Sequence, residues 1–306
     1  QSNLTEKATY RAQVGQGDYE KRGQNKERSL ETGKDKELEA YIRVKLVEER
    51  FSPDAIIGEI KVKRLKFEGM ICTKTLYNYI DRGIFSGISN KNLWEKSKKK
   101  RRGYKTLHRI SKKNRFCRSI EIRPKAVEER RGYGHWEGDT LKGPQGSKAS
   151  LLTLTERKSR EEVVIKLGNA SQEAIREAID EKEREYGQAF KAKFKSITFD
   201  NGVEFLDWET LEVSVLDGQG RRTTIYFAHA YSAWERGTNE NHNRMIRRFI
   251  PKGTNIADLT EEEVKKIEGW MNNYPRKILG YRTPKQVAAE HLQSKQFDRM
   301  VKICRN

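Results

Sequence analysis

Between Asp35 and Arg50 the positions Leu38, Tyr41, Ile42, Lys45 and Leu46 recur at helical spacing. They predict a helix whose one charged member packs through its aliphatic stem. Ser52-Pro53-Asp54 then supplies an N-cap, a first-turn proline and a first-turn acid, so a second helix should begin there. A third is predicted from Thr73 as N-cap through Leu76, Tyr77 and Ile80 to a stop at Gly83. Beyond residue 130 the period changes to two. His135–Leu141, Ser150–Thr155 and Glu162–Leu167 predict an antiparallel meander. A helix capped by Ser171 follows, with Ala174, Ile175, Ala178, Ile179 and Tyr186 on its buried stripe. Next come a strand ending at Asp200, a short helix near Glu204–Leu211, a strand at Thr223–Ala228 and a helix from about Thr238 to Phe249. Strands first, then strand and helix in alternation, predict a mixed sheet flanked by helices.

Charge adds a partner to this outline. The 306 residues carry a formal net charge of +19, which argues for a polyanion. Eleven Lys or Arg and no acid fall between Ser97 and Arg118, among them Lys98, Lys99, Lys100, Arg101 and Arg102. This stretch reads as a basic linker that meets phosphates. The three predicted N-terminal helices fit a helix-turn-helix with Lys74, Asn78 and Arg82 on the outward face of its last helix. A small helical bundle for protein contacts fits the same pattern. Cys72, Cys117 and Cys304 are odd in number and form no Cys-x-x-Cys pair, so neither a disulfide framework nor a zinc site is indicated. No run is long and apolar enough for a membrane span, and a cytoplasmic, nucleoid-associated protein is expected.

Three acids stand where a site can form. Asp139 lies in a strand whose alternation puts it on the same face as Glu137; Asp200 ends a strand; and Glu240 starts a helix. On that helix Asn243, Arg244 and Arg247 share the face of Glu240, while Met245, Ile246, Phe249 and Ile250 point away. Converging carboxylates repel unless hard cations neutralise them, and two such ions would clamp an in-line displacement at phosphorus. Each acid alone has a plainer reading. Asp200-Asn201-Gly202 is an ordinary turn signal, and the arginine face could be merely solvated.

The blocks His135-Trp136-Glu137-Gly138-Asp139-Thr140, Phe199-Asp200-Asn201-Gly202-Val203-Glu204-Phe205 and Trp234-Glu235-Arg236-Gly237-Thr238-Asn239-Glu240-Asn241 resemble those of the bacterial IS-thirty family of insertion-sequence transposases. The resemblance continues through Ile246–Thr254 and Asn273–Pro284, spans roughly residues 130–290, and is weaker in the helix-turn-helix region. It implies a DDE transposase with a ribonuclease-H-like, retroviral-integrase-like core, in which Asp139, Asp200 and Glu240 hold two Mg²⁺ or Mn²⁺ ions. It also implies double-stranded DNA as partner, both terminal inverted repeats and target, and a homodimer or higher assembly on that DNA. Arg236, Asn243, Arg244 and Arg247 would contact phosphates. Thirty-nine residues stand between Asp200 and Glu240, a spacing longer than the family's, with the surplus expected near Asp217–Arg221. Glu235 is the rival third acid, roughly 140° from Glu240 round a helix.

The expected organisation is a mobile lead-in over 1–34 ending a truncated upstream helical region, a helix-turn-helix domain over 35–90, a basic linker over 91–130, the catalytic domain over 131–290, and a tail over 291–306. A catalytically inactive DNA-binding regulator and a hydrolase of RNA–DNA hybrids are the competing classes.

Overall fold

The computed structural model describes residues 35–94, 118–218, 220–229, 235 and 237–292. The chain divides into two compact units at Lys99–Lys100. Expectations for residues 1–34, for the basic run Lys98–Arg102, for Arg236 and for residues 293–306 lie outside the described residues.

In the first unit, helix α1 (Lys36–Arg43) runs on through a π turn, Val44–Glu48, and is followed by α2 (Pro53–Lys63) and α3 (Thr73–Asp81). Leu38, Ile42 and Leu46 are buried as the stripe required, together with Ile56, Ile57 and Ile60 of α2 and Leu76 and Ile80 of α3. Ser52 caps α2 by accepting from the Ala55 amide at 3.2 Å. Lys45 packs as expected and its amine reaches Glu49 and Glu59 at 2.8 and 3.4 Å. One detail differs: Cys72, not Thr73, occupies the cap position of α3, and its side chain makes no capping bond. Lys74, Asn78 and Arg82 are exposed.

The second unit is built on a five-stranded sheet. Strands β1 (His135–Lys142), β2 (Ser150–Glu156) and β3 (Glu162–Leu167) form the antiparallel meander. Strands β4 (Ser196–Phe199) and β5 (Thr224–Phe227) add in parallel, giving the order β3-β2-β1-β4-β5. Its helices are α4 (Lys125–Glu128), α5 (Gln172–Tyr186), α6 (Phe190–Lys193), α7 (Trp208–Glu212), α8 (Gly237–Ile246), α9 (Glu261–Asn273) and α10 (284–292).

Two separate apolar clusters follow from strand alternation. Trp136, Leu152, Leu154, Ile197 and Phe199 pack with Ile175 and Ile179 of α5. Leu141, Leu151 and Val164 pack with Ile246 of α8 and Val264, Ile267 and Met271 of α9. Helix α9 packs on the sheet through Val264, Ile267 and Met271. It also covers the edge of β3: Glu268 accepts from the Val164 amide at 2.7 Å, and Asn272 pairs with both backbone groups of Glu162 at 2.8 Å. An edge so covered cannot pair with another strand.

Part of the stretch expected as a basic linker over 91–130 is folded. Residues 118–130 fold onto the sheet: Ser119 bridges to Phe227, Arg123 is buried with its guanidinium on the Thr198 hydroxyl at 2.9 Å, and Val127 is buried. The cause is tertiary, because Arg123 reaches Thr198 on β4 and the Val127 carbonyl accepts from Arg157, both later in sequence. Among the described residues no helix is long and apolar enough to cross a membrane.

Candidate active site

The register of β1 against β4 pairs His135 with Ser196, Trp136 with Ile197 and Glu137 with Thr198. The same offset sets Asp200, the residue after β4, beside Asp139. Neighbouring strands lie about 4.8 Å apart, so Asp200, just past the end of β4, stands level with Asp139 in the middle of β1. Gly138 makes this approach possible. A Cβ there would fall 2.2 Å from the ring of Phe199, the residue before Asp200. The ring lies on the bare backbone and stacks on Phe205 at 4.1 Å.

Asp139 is oriented from two sides. Its Oδ1 accepts from the Thr140 amide at 2.9 Å and its Oδ2 from Asn243 Nδ2 at 2.7 Å. Asp200 Oδ1 accepts from the Gly202 amide at 3.0 Å, and Asn201 ties the same turn to the Ala228 carbonyl at 2.9 Å. A fourth carboxylate is close by. Glu204 is buried, accepts from the Thr140 hydroxyl at 2.7 Å and has the Lys142 amine at 3.3 Å. Burial pushes its carboxyl up, but the Thr140 hydroxyl, its own backbone amide and Lys142 outweigh this, and the net shift is down. Glu204 and Asp200 crowd Gly202, where a Cβ would meet Glu204 Oε2 at 2.8 Å and Asp200 Oδ1 at 2.9 Å.

Helix α8 is fastened to β1 by two asparagines one turn apart. The Asn239 amide, an orphan donor of the first turn, bonds Glu137 Oε2 at 3.0 Å, and Asn239 Nδ2 bonds the Glu137 carbonyl at 3.1 Å. Asn243 makes the bond to Asp139. Four helical residues advance about 6 Å and two strand residues about 6.6 Å, so the pairs 239/243 and 137/139 match in length. Thr153 of β2, paired with Asp139, completes the ladder by donating to Asn243 Oδ1 at 3.1 Å. Glu240 is exposed and lies roughly 60° round the helix from Asn243, beside its contact with Asp139. Glu235 is otherwise engaged, accepting from the His229 amide at 2.8 Å and facing the His229 ring at 2.7 Å.

Under the ladder lies a set of buried charges. Glu137 Oε1 meets Arg157 at 2.5 Å, Arg157 reaches Glu128 at 3.2 Å, and Arg123 pairs with Glu128 from the other side. Arg160 donates to the Thr238 hydroxyl at 2.7 Å, and burial lowers its guanidinium to about 10, still charged at neutral pH. His242 and Glu162 lie fully buried at 2.6 Å. Burial holds the imidazole well below and the carboxyl well above their usual ranges.

The other expected site residues divide by position. Asn243, expected against phosphates, is buried and holds Asp139 instead. Arg244 is exposed with Nη2 on Asn241 at 3.1 Å, and Arg247 is half-buried with Nη2 on the Lys142 carbonyl at 2.9 Å. The roles of Asn239, Thr153 and Glu204 were not anticipated. An Asn-x-x-x-Asn spacing was the one signal available for the first.

The carboxylate set suits a hard divalent cation. Both strand aspartates are half-buried and held by amides that leave further lone pairs on each carboxylate, and one or two such groups with waters and substrate phosphates satisfy magnesium. With side chains as they stand, no three Asp, Glu, His or Cys among the described residues are close enough to hold one ion.

A meander followed by two strands parallel to its first, with one acid inside β1 level with another just past the end of β4, defines a ribonuclease-H-like core. No family model matches the chain. The transposase for insertion sequence element IS4351 of Bacteroides fragilis is 33% identical over 247 residues, 79% of this chain and 70% of the relative. The chain therefore belongs to the IS30, or IS-thirty, family of insertion-sequence transposases. The probable transposase for insertion-like sequence element IS1161 of Streptococcus salivarius is 37% identical over 216 residues, 70% of this chain and 58% of that protein. Transposase InsI for insertion sequence element IS30A of Escherichia coli K12 is 35% identical over 168 residues, 55% of this chain and 41% of that protein. The chain thus spans about half the length of these two relatives. Among solved structures, the catalytic core domain of BIV integrase has a TM-score of 0.40 and 16% identity, covering 54% of this chain and 99% of that one.

Proposed function

We propose that this chain is a DNA transposase that cuts DNA at the ends of a mobile element and joins the freed 3′-hydroxyl to target DNA. The observation that carries the reading is the level placement of Asp139 and Asp200 on adjacent parallel strands, with α8 pinned to β1 beside them. In this reading Asp139, Asp200 and Glu240 hold Mg²⁺ or Mn²⁺, two ions per site, which neutralise charge developing on the phosphoryl group in transit. Asp139 and Asp200 provide fixed carboxylates, their rotamers locked by Thr140, Asn243 and Gly202. Glu240, facing solvent, takes the proton of the attacking oxygen. In the first step water attacks phosphorus and the bond to the 3′ oxygen breaks, that oxygen leaving protonated as a 3′-hydroxyl. In the second this 3′-hydroxyl loses its proton and attacks a target phosphorus, the new P–O bond forming as the bond from that phosphorus to the target's own 3′ oxygen breaks and a target 3′-hydroxyl leaves.

The first unit reads the terminal inverted repeats through Lys74, Asn78 and Arg82 of α3, and the basic run Lys98–Arg102 lies along the phosphates. Arg236, Arg244 and Arg247 contact backbone near the scissile bond. Two copies hold two DNA ends, and the work is done at the nucleoid in the cytoplasm. Incubation of the chain with a labelled terminal-repeat duplex, with Mg²⁺ or with EDTA, tests the reading. Metal-dependent nicks at the repeat boundary, with part of the product joined to a second duplex, support it. Tight binding without cleavage under any metal favours a regulator that occupies the repeats.

A further inference from the structure

The first unit carries a basic segment that the reading above leaves unused. Residues 64–72 link α2 to α3, more than the roughly three to four residues of an ordinary helix-turn-helix turn. The link is fixed in shape. Its Phe67 ring packs on Tyr41 at 5.5 Å, the Gly69 amide donates to Asp35 at 3.0 Å, and Ile71 is buried. Arg64 and Lys66 at its start and Lys61 in the last turn of α2 are all exposed, and among the described residues none of the three has an ion pair. Lys63, between them, differs in pairing with Glu59.

Arg64 is the informative member. It closes α2 in the left-handed conformation, φ 53°, where glycine is the usual cap and a side chain costs about 1 kcal/mol or more. Among the described residues no acid pairs with Arg64 to offset that cost. A helix-dipole account covers Lys61 and part of Arg64 but not Lys66, which lies beyond the last turn of α2. The link leads directly into the first turn of α3, the end that a recognition helix brings nearest the base edges. Phosphates that border the groove then face the link.

We propose that the α2–α3 link is a phosphate clamp, in which Lys61, Arg64 and Lys66 bind the DNA backbone beside the groove that α3 enters. This rests on the helix-turn-helix reading of the first unit. The test uses the full chain with two probes: a duplex enriched by the chain from a random-sequence pool, and an unrelated duplex of equal length. Lys61, Arg64 and Lys66 are changed together to Gln. Lys265, Lys266 and Lys285, exposed in the second unit, are changed to Gln as a charge-matched control. The clamp predicts that the link variant binds both duplexes roughly 10- to 100-fold more weakly at ~0.1 M salt, and that its log–log salt slope falls by about 2–3 relative to the control. Affinity and slope equal to the control's overturn it. So does a loss confined to the enriched duplex, which would make the link a base reader. An Asn78→Ala variant separates the two ideas. If it erases the preference between duplexes while the link variant matches the control, the clamp fails and the helix-turn-helix reading stands. If Asn78→Ala leaves the preference intact, that reading fails on its own, and the link variant still reports on the clamp through the unrelated duplex.

Discussion

Asn243 donates its side-chain amide to Asp139 Oδ2 at 2.7 Å, so the helix that carries Glu240 also grips the acid on the central strand. A second-layer group that orients a metal-binding carboxylate commonly affects metal affinity or rate by roughly 10- to 100-fold. Asn243→Leu is expected to lower cleavage by about that factor. Calorimetric titration with Mn²⁺ should show weaker binding, and the exposed Asn241→Ala should change neither quantity.

Glu137 and Glu240 separate folding from chemistry. Glu137 is fully buried against Arg157 and the first turn of α8, so Glu137→Gln leaves a buried guanidinium short of its partner. The expected loss is about 3 kcal/mol in denaturant unfolding. Glu240→Gln, at an exposed position, should stay within about 0.5 kcal/mol of the parent while abolishing cleavage.

Gly202 has φ −62°, which any residue adopts, so Gly202→Ala carries no backbone strain. Its methyl would press on Asp200 and Glu204 at under 3 Å. A displaced Asp200 should cost cleavage roughly 10- to 100-fold with thermal unfolding little changed. Gly138→Ala meets the Phe199 ring instead and is expected to lower the unfolding temperature sharply.

His229 faces Glu235 at 2.7 Å and Glu121 at 3.2 Å, and the Glu235 hydrogen bond and charge, then Glu121, raise its pKa. A raised imidazole contributes its stabilisation fully below the unfolded value near 6.5 and loses it as pH climbs through the folded value. A pH titration of the ring by NMR should give a midpoint above 6.5 that moves down in Glu235→Gln. A midpoint unaffected by that change would break the assignment.

Much of the fold was legible because period two and period 3.6 are properties of local sequence. The three meander strands, the Ser171 cap and the Ser52-Pro53 start were all readable in this way. The pairing of Asp139 with Asp200 was not, since a parallel register is decided by what β1 and β4 bury together, here Trp136, Ile197 and the Phe199 ring over Gly138. The motifs single out Asp139, Asp200 and Glu240 but not the residues that orient the first two. Glu204 reaches Thr140 on the opposite face of β1 from Asp139, and Asn239 and Asn243 look like surface residues until α8 is laid on the sheet. Residues 118–130 were hidden by their neighbours, a basic run that masked the buried Arg123 and Val127.

The most direct test of the account is metal-dependent nicking of a terminal-repeat duplex by four variants: Asp139→Asn, Asp200→Asn, Glu240→Gln and Glu235→Gln. The first three should bind the duplex as the parent does yet show no cleavage above background, and Glu235→Gln should still cut. Parental cleavage by any of the first three, or an inactive Glu235→Gln beside an active Glu240→Gln, would contradict the site described here.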